Sequence, residues 1–297
     1  MKNQQTVSLV LGSGGARGLA HIGVIRYLEE QNFKIISISG CSMGAAVGGV
    51  YAAGKLTEFE NWITAISKFD IISLLDISWQ KTGLIKGDKI INTLIDLVGD
   101  KKIEDLPIKY TAVAVDIKNG KEVWINTGKL FDAIRASISL PLFFTPFNRN
   151  GVDLIDGGVL NPVPIAPTFS DGSDITIAVN LGGEPVAQNT KNIQKIKNKN
   201  DKENLSVFNK KVQSYIQKFS DKMQNTAKFD IKAYNIANQA FDAMQSTIAR
   251  QKLASYPPDY TINIPINSCN IFEFDKADEM IKLGYNLTQQ KINNIKI

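Results

Sequence analysis

The first apolar run, Thr6 to Leu11, is stopped by glycines and predicts a buried strand. Arg17 to Gln31 follows with Leu19, Ile22, Ile25, Tyr27 and Leu28 recurring on one side, the spacing of a helix with one apolar face. Lys34 to Ser39 is rich in β-branched residues and predicts a second strand. Met43 to Gly54 is small and apolar, which predicts a helix packed tightly in the interior. Further strands are predicted at Tyr110 to Val115, Glu122 to Asn126, Val152 to Ile155, Asp174 to Leu181 and Tyr260 to Ile264. Helical patterning resumes at Tyr234 to Ala254, ends before Pro257-Pro258, and returns at Asp275 to Lys291. Strands alternating with helices predict the α/β class, with a mainly parallel central sheet covered on both faces.

One stretch breaks this alternation. From Gln188 to about Asn204 the chain is polar and rich in Lys and Asn, and Phe208, Val212, Tyr215, Phe219 and Met223 then step as an amphipathic helix. The elements after it return to the same core, so residues 1–297 read as a single domain with a basic insertion at about 188–232. Charge sharpens the division. The formal net charge is +5, yet residues 188–232 hold 11 Lys against 4 acidic residues, leaving 23 basic and 25 acidic residues elsewhere. The basic character belongs to one segment and does not point to nucleic acid. It fits peripheral contact with an anionic membrane surface, or equally a solvated loop. Two isolated cysteines, Cys41 and Cys269, form no disulfide framework. The N-terminal apolar run is too short for a signal peptide or a membrane span, and the reading is a cytoplasmic protein.

The candidate chemistry begins at Gly40-Cys41-Ser42-Met43-Gly44, a G-x-S-x-G match between a predicted strand and a predicted helix. A tight turn there forces the serine into a strained, exposed position, with helix N–H groups beside it. The bland alternative is a strand-to-helix turn with Ser42 as N-cap. The chain has one histidine, His21, and none follows the serine, so a Ser-His-Asp triad in the α/β-hydrolase order cannot be assembled. His21 lies between Ala20 and Ile22 in an apolar helix and reads as structural. A carboxylate is then the proton acceptor, and a His-rich metal site is ruled out. Asp156-Gly157-Gly158 follows a short apolar strand and offers a candidate, its rival reading being an ordinary D-G turn.

The third element is the glycine-rich turn Gly12-Ser13-Gly14-Gly15-Ala16-Arg17-Gly18 at a helix N-terminus, a place for an anion. A dinucleotide fingerprint needs its last glycine one residue earlier and an acidic residue after the second strand, where Ser39-Gly40-Cys41-Ser42 stands instead. The oxyanion of an acyl-transfer intermediate fits better.

Together, the early G-x-G-G-x-R-G turn, the G-x-S-x-G elbow and the distant D-G-G resemble the patatin-like phospholipases, in the bacterial branch near neuropathy target esterase. Ala20-His21-Ile22-Gly23-Val24, Arg135-Ala136-Ser137, Pro141 with Phe143-Phe144, and Asn161-Pro162-Val163-Pro164 add to the likeness. The resemblance implies a three-layer α/β/α fold and a Ser-Asp dyad without histidine or cofactor. Ser42 would attack the ester, Asp156 would accept its proton, and N–H groups of Gly14, Gly15, Ala16 and Arg17 would hold the oxyanion. Arg17 would brace that loop or meet a lipid phosphate, against the rival of a surface ion pair. The implied substrate is a phospholipid or lysophospholipid. Alternatives are an acyltransferase or thioesterase using the same serine, and a membrane-binding scaffold. Cys41 reads as a small core residue, Asp116 as a turn aspartate. Leu140, Leu142, Phe143, Phe144 and Phe147 read either as an acyl-chain groove or as plain core.

Overall fold

The computed structural model describes residues 4–66, 85–186 and 231–293, the side chains of 231–235 and 238 excepted. Most of the basic segment 188–232, including the helix expected at Phe208 to Met223, lies outside the described residues. The chain divides into two units, Met1–Pro185 with Met244–Ile297, and Val186–Ala243. The first of these carries the sheet.

Its elements run β1 (Thr6–Leu11), α1 (Ala20–Glu30), β2 (Lys34–Cys41), α2 (Met43–Ala52), α3 (Leu56–Ala65), α4 (Asp88–Val98), β3 (Lys109–Asp116) and β4 (Lys121–Ile125). They continue as α5 (Leu130–Ser137), β5 (Phe147–Arg149), β6 (Val152–Asp156), β7 (Ile175–Gly183), α6 (Ile231–Ser255, here from Met244 onward), β8 (Tyr260–Pro265) and α7 (Ala277–Asn293). The strands form one sheet in the order β5-β6-β3-β2-β1-β7-β8, with β4 also on β3. The five strands β3, β2, β1, β7 and β8 are parallel neighbours, while β4, β5 and β6 pair antiparallel at one side.

Alternation along the central strands sorts side chains into two layers. Leu9 and Leu11 of β1 and Ile177 and Val179 of β7 point into a large core with α1, α2 and α7. Val10 and Ala178 point the other way, against Val163, Ile165, and Ala249 and Leu253 of α6. Helices on both faces make the three-layer α/β/α arrangement. α1 and α7 pack closely because Gly23 and Gly284 leave room for each other's backbone, and Tyr27 meets Tyr285 edge-on at 5.2 Å. Among the described residues no helix is long and apolar enough to cross a membrane.

One detail of the sheet positions the chemistry. Ala112–Asp116 of β3 pairs with β4 along one edge. The other edge is shared: β2 occupies it as far as Cys41 opposite Val113, and β6 takes over with Asp156 opposite Ala114. Two strands approaching from opposite directions therefore meet end to end. Cys41 and Ser42 close one of them, Asp156 the other.

Candidate active site

Ser42 leaves β2 at φ 55, ψ −123, a conformation that costs a side-chain-bearing residue energy and that its surroundings must enforce. Gly44 is one such enforcement. A Cβ there would strike the Leu11 carbonyl, so only glycine lets α2 sit this close to the end of β1. The Ser42 N–H donates to Ser137 Oγ at 2.9 Å, and that hydroxyl in turn donates to the Val113 carbonyl at 2.7 Å. The elbow is thus pinned to β3 through α5. The Ser42 carbonyl starts α2 by accepting from Ala45 and Ala46, and the serine makes no side-chain N-cap. Its hydroxyl turns elsewhere: Ser42 Oγ donates to Asp156 Oδ2 at 2.5 Å.

Asp156 is 1% exposed. Its Oδ1 accepts from the Gly158 N–H at 2.7 Å and from the Cys41 thiol at 3.8 Å, and its own N–H donates to the Ser139 carbonyl. Burial raises its pKa to about 6, against the pull of the Ser42, Gly158 and Cys41 hydrogen bonds. A carboxylate so placed is ionised at neutral pH and still basic enough to take a proton from a hydroxyl. Cys41 is fully buried and its thiol is pushed well up, first by desolvation and then by Asp156, so it is not a competing thiolate.

The glycine-rich turn packs beside this pair, Ser13 against Gly158 and the Gly12 carbonyl against Gly44. Gly12, Ser13 and Ala16 commit their N–H groups to the carbonyls of Val179, Pro162 and Ile271. Gly14 and Gly15 have no such backbone partner among the described residues. Gly15 adopts φ +57, where a Cβ would also strike the Ile271 carbonyl. Of the four residues expected to hold an oxyanion, Gly14 and Gly15 are thus the ones whose N–H groups have no such partner among the described residues. Ala16 has its N–H engaged, and the Arg17 guanidinium is buried and donates to the Ile266 carbonyl at 3.0 Å. That contact braces the turn, with the guanidinium buried in the fold.

His21 is 0% exposed and stands against the same turn, its Nε2 on the Gly12 carbonyl at 2.9 Å. A carbonyl only accepts, so Nε2 carries the proton. Desolvation lowers its pKa to about 4, which keeps the ring neutral at ordinary pH. Asp116 accepts from the Asn119 N–H and side-chain amide, the geometry of a turn aspartate. Leu140, Phe143, Phe144 and Phe147 are half-buried, and Leu142 is exposed at φ 67. Phe143 packs on Phe144 and on Phe272, whose neighbour Ile271 abuts Gly15, so part of this apolar group borders the turn. Two residues at the site had no assigned role in the sequence, Ser137 and Gln245. Ser137 lay within the quoted Arg135-Ala136-Ser137; Gln245 carried no local signal.

The patatin-like phospholipase family model matches residues 9–169, which spans all three motifs. The chain belongs to that family. It is a lipid-ester hydrolase. An uncharacterized NTE family protein of Mycobacterium tuberculosis is 36% identical over 98% of this chain and 92% of its own length. The Lysophospholipase NTE1 of Saccharomyces cerevisiae is 33% identical over 60% of this chain, a match covering 11% of the yeast protein. Among solved structures, VipD from Legionella pneumophila aligns with 98% of this chain and 67% of its own, at 15% identity and a TM-score of 0.45.

Proposed function

We propose that this patatin-like enzyme is a phospholipase A or lysophospholipase in which Ser42 is the nucleophile and Asp156 its sole proton acceptor. The observation that carries the reading is the 2.5 Å hydrogen bond from Ser42 Oγ to a buried carboxylate of raised basicity. In the first step Asp156 takes the hydroxyl proton as Ser42 Oγ bonds to the ester carbonyl carbon. Negative charge moves to the carbonyl oxygen, where the Gly14 and Gly15 N–H groups and the N–H of Met43 at the start of α2 can meet it. The Ser42 N–H is not available, being engaged by Ser137. Collapse expels the lyso-lipid or glycerol alkoxide, which leaves with the Asp156 proton. In the second step Asp156 takes a proton from water, hydroxide attacks the acyl-serine, and the proton returns to Ser42 as the fatty acid departs. The cycle closes on this chain's own groups and water.

The yeast relative's name favours lysophospholipids as the first substrates to try. Turnover of a defined panel of phospholipids and lysophospholipids by wild type, Ser42→Ala and Asp156→Asn tests the proposal. Both variants are expected to lose nearly all hydrolysis while staying folded. An active, folded Asp156→Asn enzyme would overturn the dyad. Residues 188–232, with 11 Lys and 4 acidic residues, fit electrostatic contact with an anionic lipid surface. Binding to phosphatidylserine vesicles should then fall with salt and with Gln at Lys191, Lys195, Lys197, Lys199 and Lys202; unchanged binding would refute the contact.

A further inference from the structure

The two glycines after Asp156 are explained by groups from distant parts of the chain. A Cβ on Gly157 would meet the Val113 carbonyl and the Cys41 sulfur. A Cβ on Gly158 would meet the Gln245 amide nitrogen and the Ser13 hydroxyl. Gln245, on α6, is buried at 8% exposure and donates from Nε2 to Ser13 Oγ at 3.2 Å. Ser13, also 8% exposed, sits in the glycine-rich turn, and with Gln245 it backs Gly158, whose N–H donates to Asp156 Oδ1 at 2.7 Å. Cys41 donates to the same oxygen, Asp156 Oδ1, at 3.8 Å.

Cys41 reaches Oδ1 directly, whereas Gln245 and Ser13 reach it through the backbone they pack against, Gly158. An amide N–H has no other role toward a hydroxyl oxygen, and an ionised carboxylate can only accept. The Cys41 S–H and the Gly158 N–H therefore both point to Asp156 Oδ1. Two donors on one oxygen, held by packing in a dry interior, keep the carboxylate in one orientation.

We propose that Cys41, Ser13 and Gln245 are positioning residues for the reaction: together they anchor Asp156 Oδ1 from α6, so that Oδ2 faces Ser42 Oγ. The proposal rests on the Ser42–Asp156 reading and deepens it. It gives the residue before the nucleophile a task beyond filling space. It also links the helix that follows residues 187–230 to the base. Other charged groups on the packed elements are engaged elsewhere. Glu122 of β4 pairs with Lys252 of α6 at 2.6 Å and accepts from Asn161. Arg135 of α5 donates to Ser139 Oγ and to the Lys86 and Thr145 carbonyls, and Asp116 of β3 is held by Asn119. Of these, Glu122 acts on the Cys41 thiol, in the direction that keeps it protonated.

The test is the pH dependence of kcat and KM on a soluble p-nitrophenyl ester, for Cys41→Ala, Cys41→Ser, Gln245→Met and the Cys41→Ala/Gln245→Met double variant. Loss of the donor in Cys41→Ala should move the acid limb of kcat to higher pH by about half a unit and lower kcat 3- to 10-fold, with KM unchanged. Cys41→Ser, which keeps a donor, should return the limb to the wild-type position. Gln245→Met should shift the limb the same way by less. The double variant should lose less than the product of the single losses, because both changes loosen the same carboxylate oxygen. Gln245→Asn and Cys41→Ser serve as the folded controls should an apolar replacement destabilise the protein. Equal acid limbs in all variants, or multiplicative losses in the double, would overturn the proposal. An active Asp156→Asn enzyme would instead remove the dyad beneath it, and the two failures are distinguishable.

Discussion

The Gly12 to Gly18 turn and the Asp156 to Gly158 turn both end strands of one sheet, and both need glycines, for different reasons. In the first, backbone sets the requirement at Gly12 and Gly15. Gly12 faces the Val179 carbonyl, and Gly15 combines φ +57 with the Ile271 carbonyl at its back. In the second, Gly157 is held by the Val113 carbonyl, whereas Gly158 yields to the ends of two side chains, Gln245 and Ser13. Backbone cannot retreat without shifting a strand, but an amide on a flexible stem can. Gly12 and Gly15 should therefore tolerate nothing, and the second turn should be repairable at Gly158.

The sharpest break is Gly15→Val. Strain at positive φ and the clash with Ile271 should displace the Gly14 and Gly15 N–H groups, lowering kcat about 10²- to 10³-fold, or roughly 2.7–4 kcal/mol, with KM little altered. Steady-state kinetics on a soluble ester decides it. An unchanged kcat would remove the turn from the oxyanion site.

Gly158→Ala should cost less, about 10-fold in kcat, by pushing the Gln245 amide aside. Adding Gln245→Ala should recover part of that loss, because the space contested by the new methyl is vacated. If the double variant is worse than Gly158→Ala alone, the difference between the two turns does not hold.

The carboxylate in the second turn gives a stability test. Its folded pKa, about 6, lies above the ordinary 3.8, so the folded state binds the extra proton. The associated stability is fully present below the ordinary value and is lost as pH rises through 6. At pH 8 the ionised Asp156 opposes folding by about 3 kcal/mol. Asp156→Asn should raise Tm by about 2–6 °C at pH 8, with the gain halved near pH 5 and nearly gone by pH 4. Thermal melts across that range measure it, and a Tm that falls at pH 8 would contradict the burial argument.

The smallest effect is expected behind the first turn. His21→Gln can still donate to the Gly12 carbonyl, so turnover should drop less than 10-fold, with no change in the pH profile near 6. A folded His21→Gln enzyme as inactive as Ser42→Ala would return the base to the histidine.

The periodicity that predicted β1, β2, β3 and β7 found them to within about two residues at either end, because buried parallel strands must be apolar. α1 begins at Ala20 rather than Arg17, since Gly15–Leu19 forms a tighter 3-10 turn that brings the glycines round to the strand ends. α3, α4 and α5 were not read from the pattern at all. Their amphipathic faces are short, and nothing in them is chemically conspicuous except Ser137.

By itself, the sequence determined that the proton acceptor could not be a histidine after Ser42, because none exists, and that glycines crowd the ends of β1, β2 and β6. It did not determine which carboxylate meets the serine, nor that Cys41, Ser13 and Gln245 converge on it. Those residues are 115, 143 and 89 positions from Asp156 along the chain. Only the shared edge of β3 brings β2 and β6 end to end, and only the packing of α6 over the opposite face from α1 carries Gln245 to the turn. Local pattern reports which face of an element is apolar. Which buried polar atoms become partners depends on where those faces finally meet, and unpaired groups there would be too costly to leave.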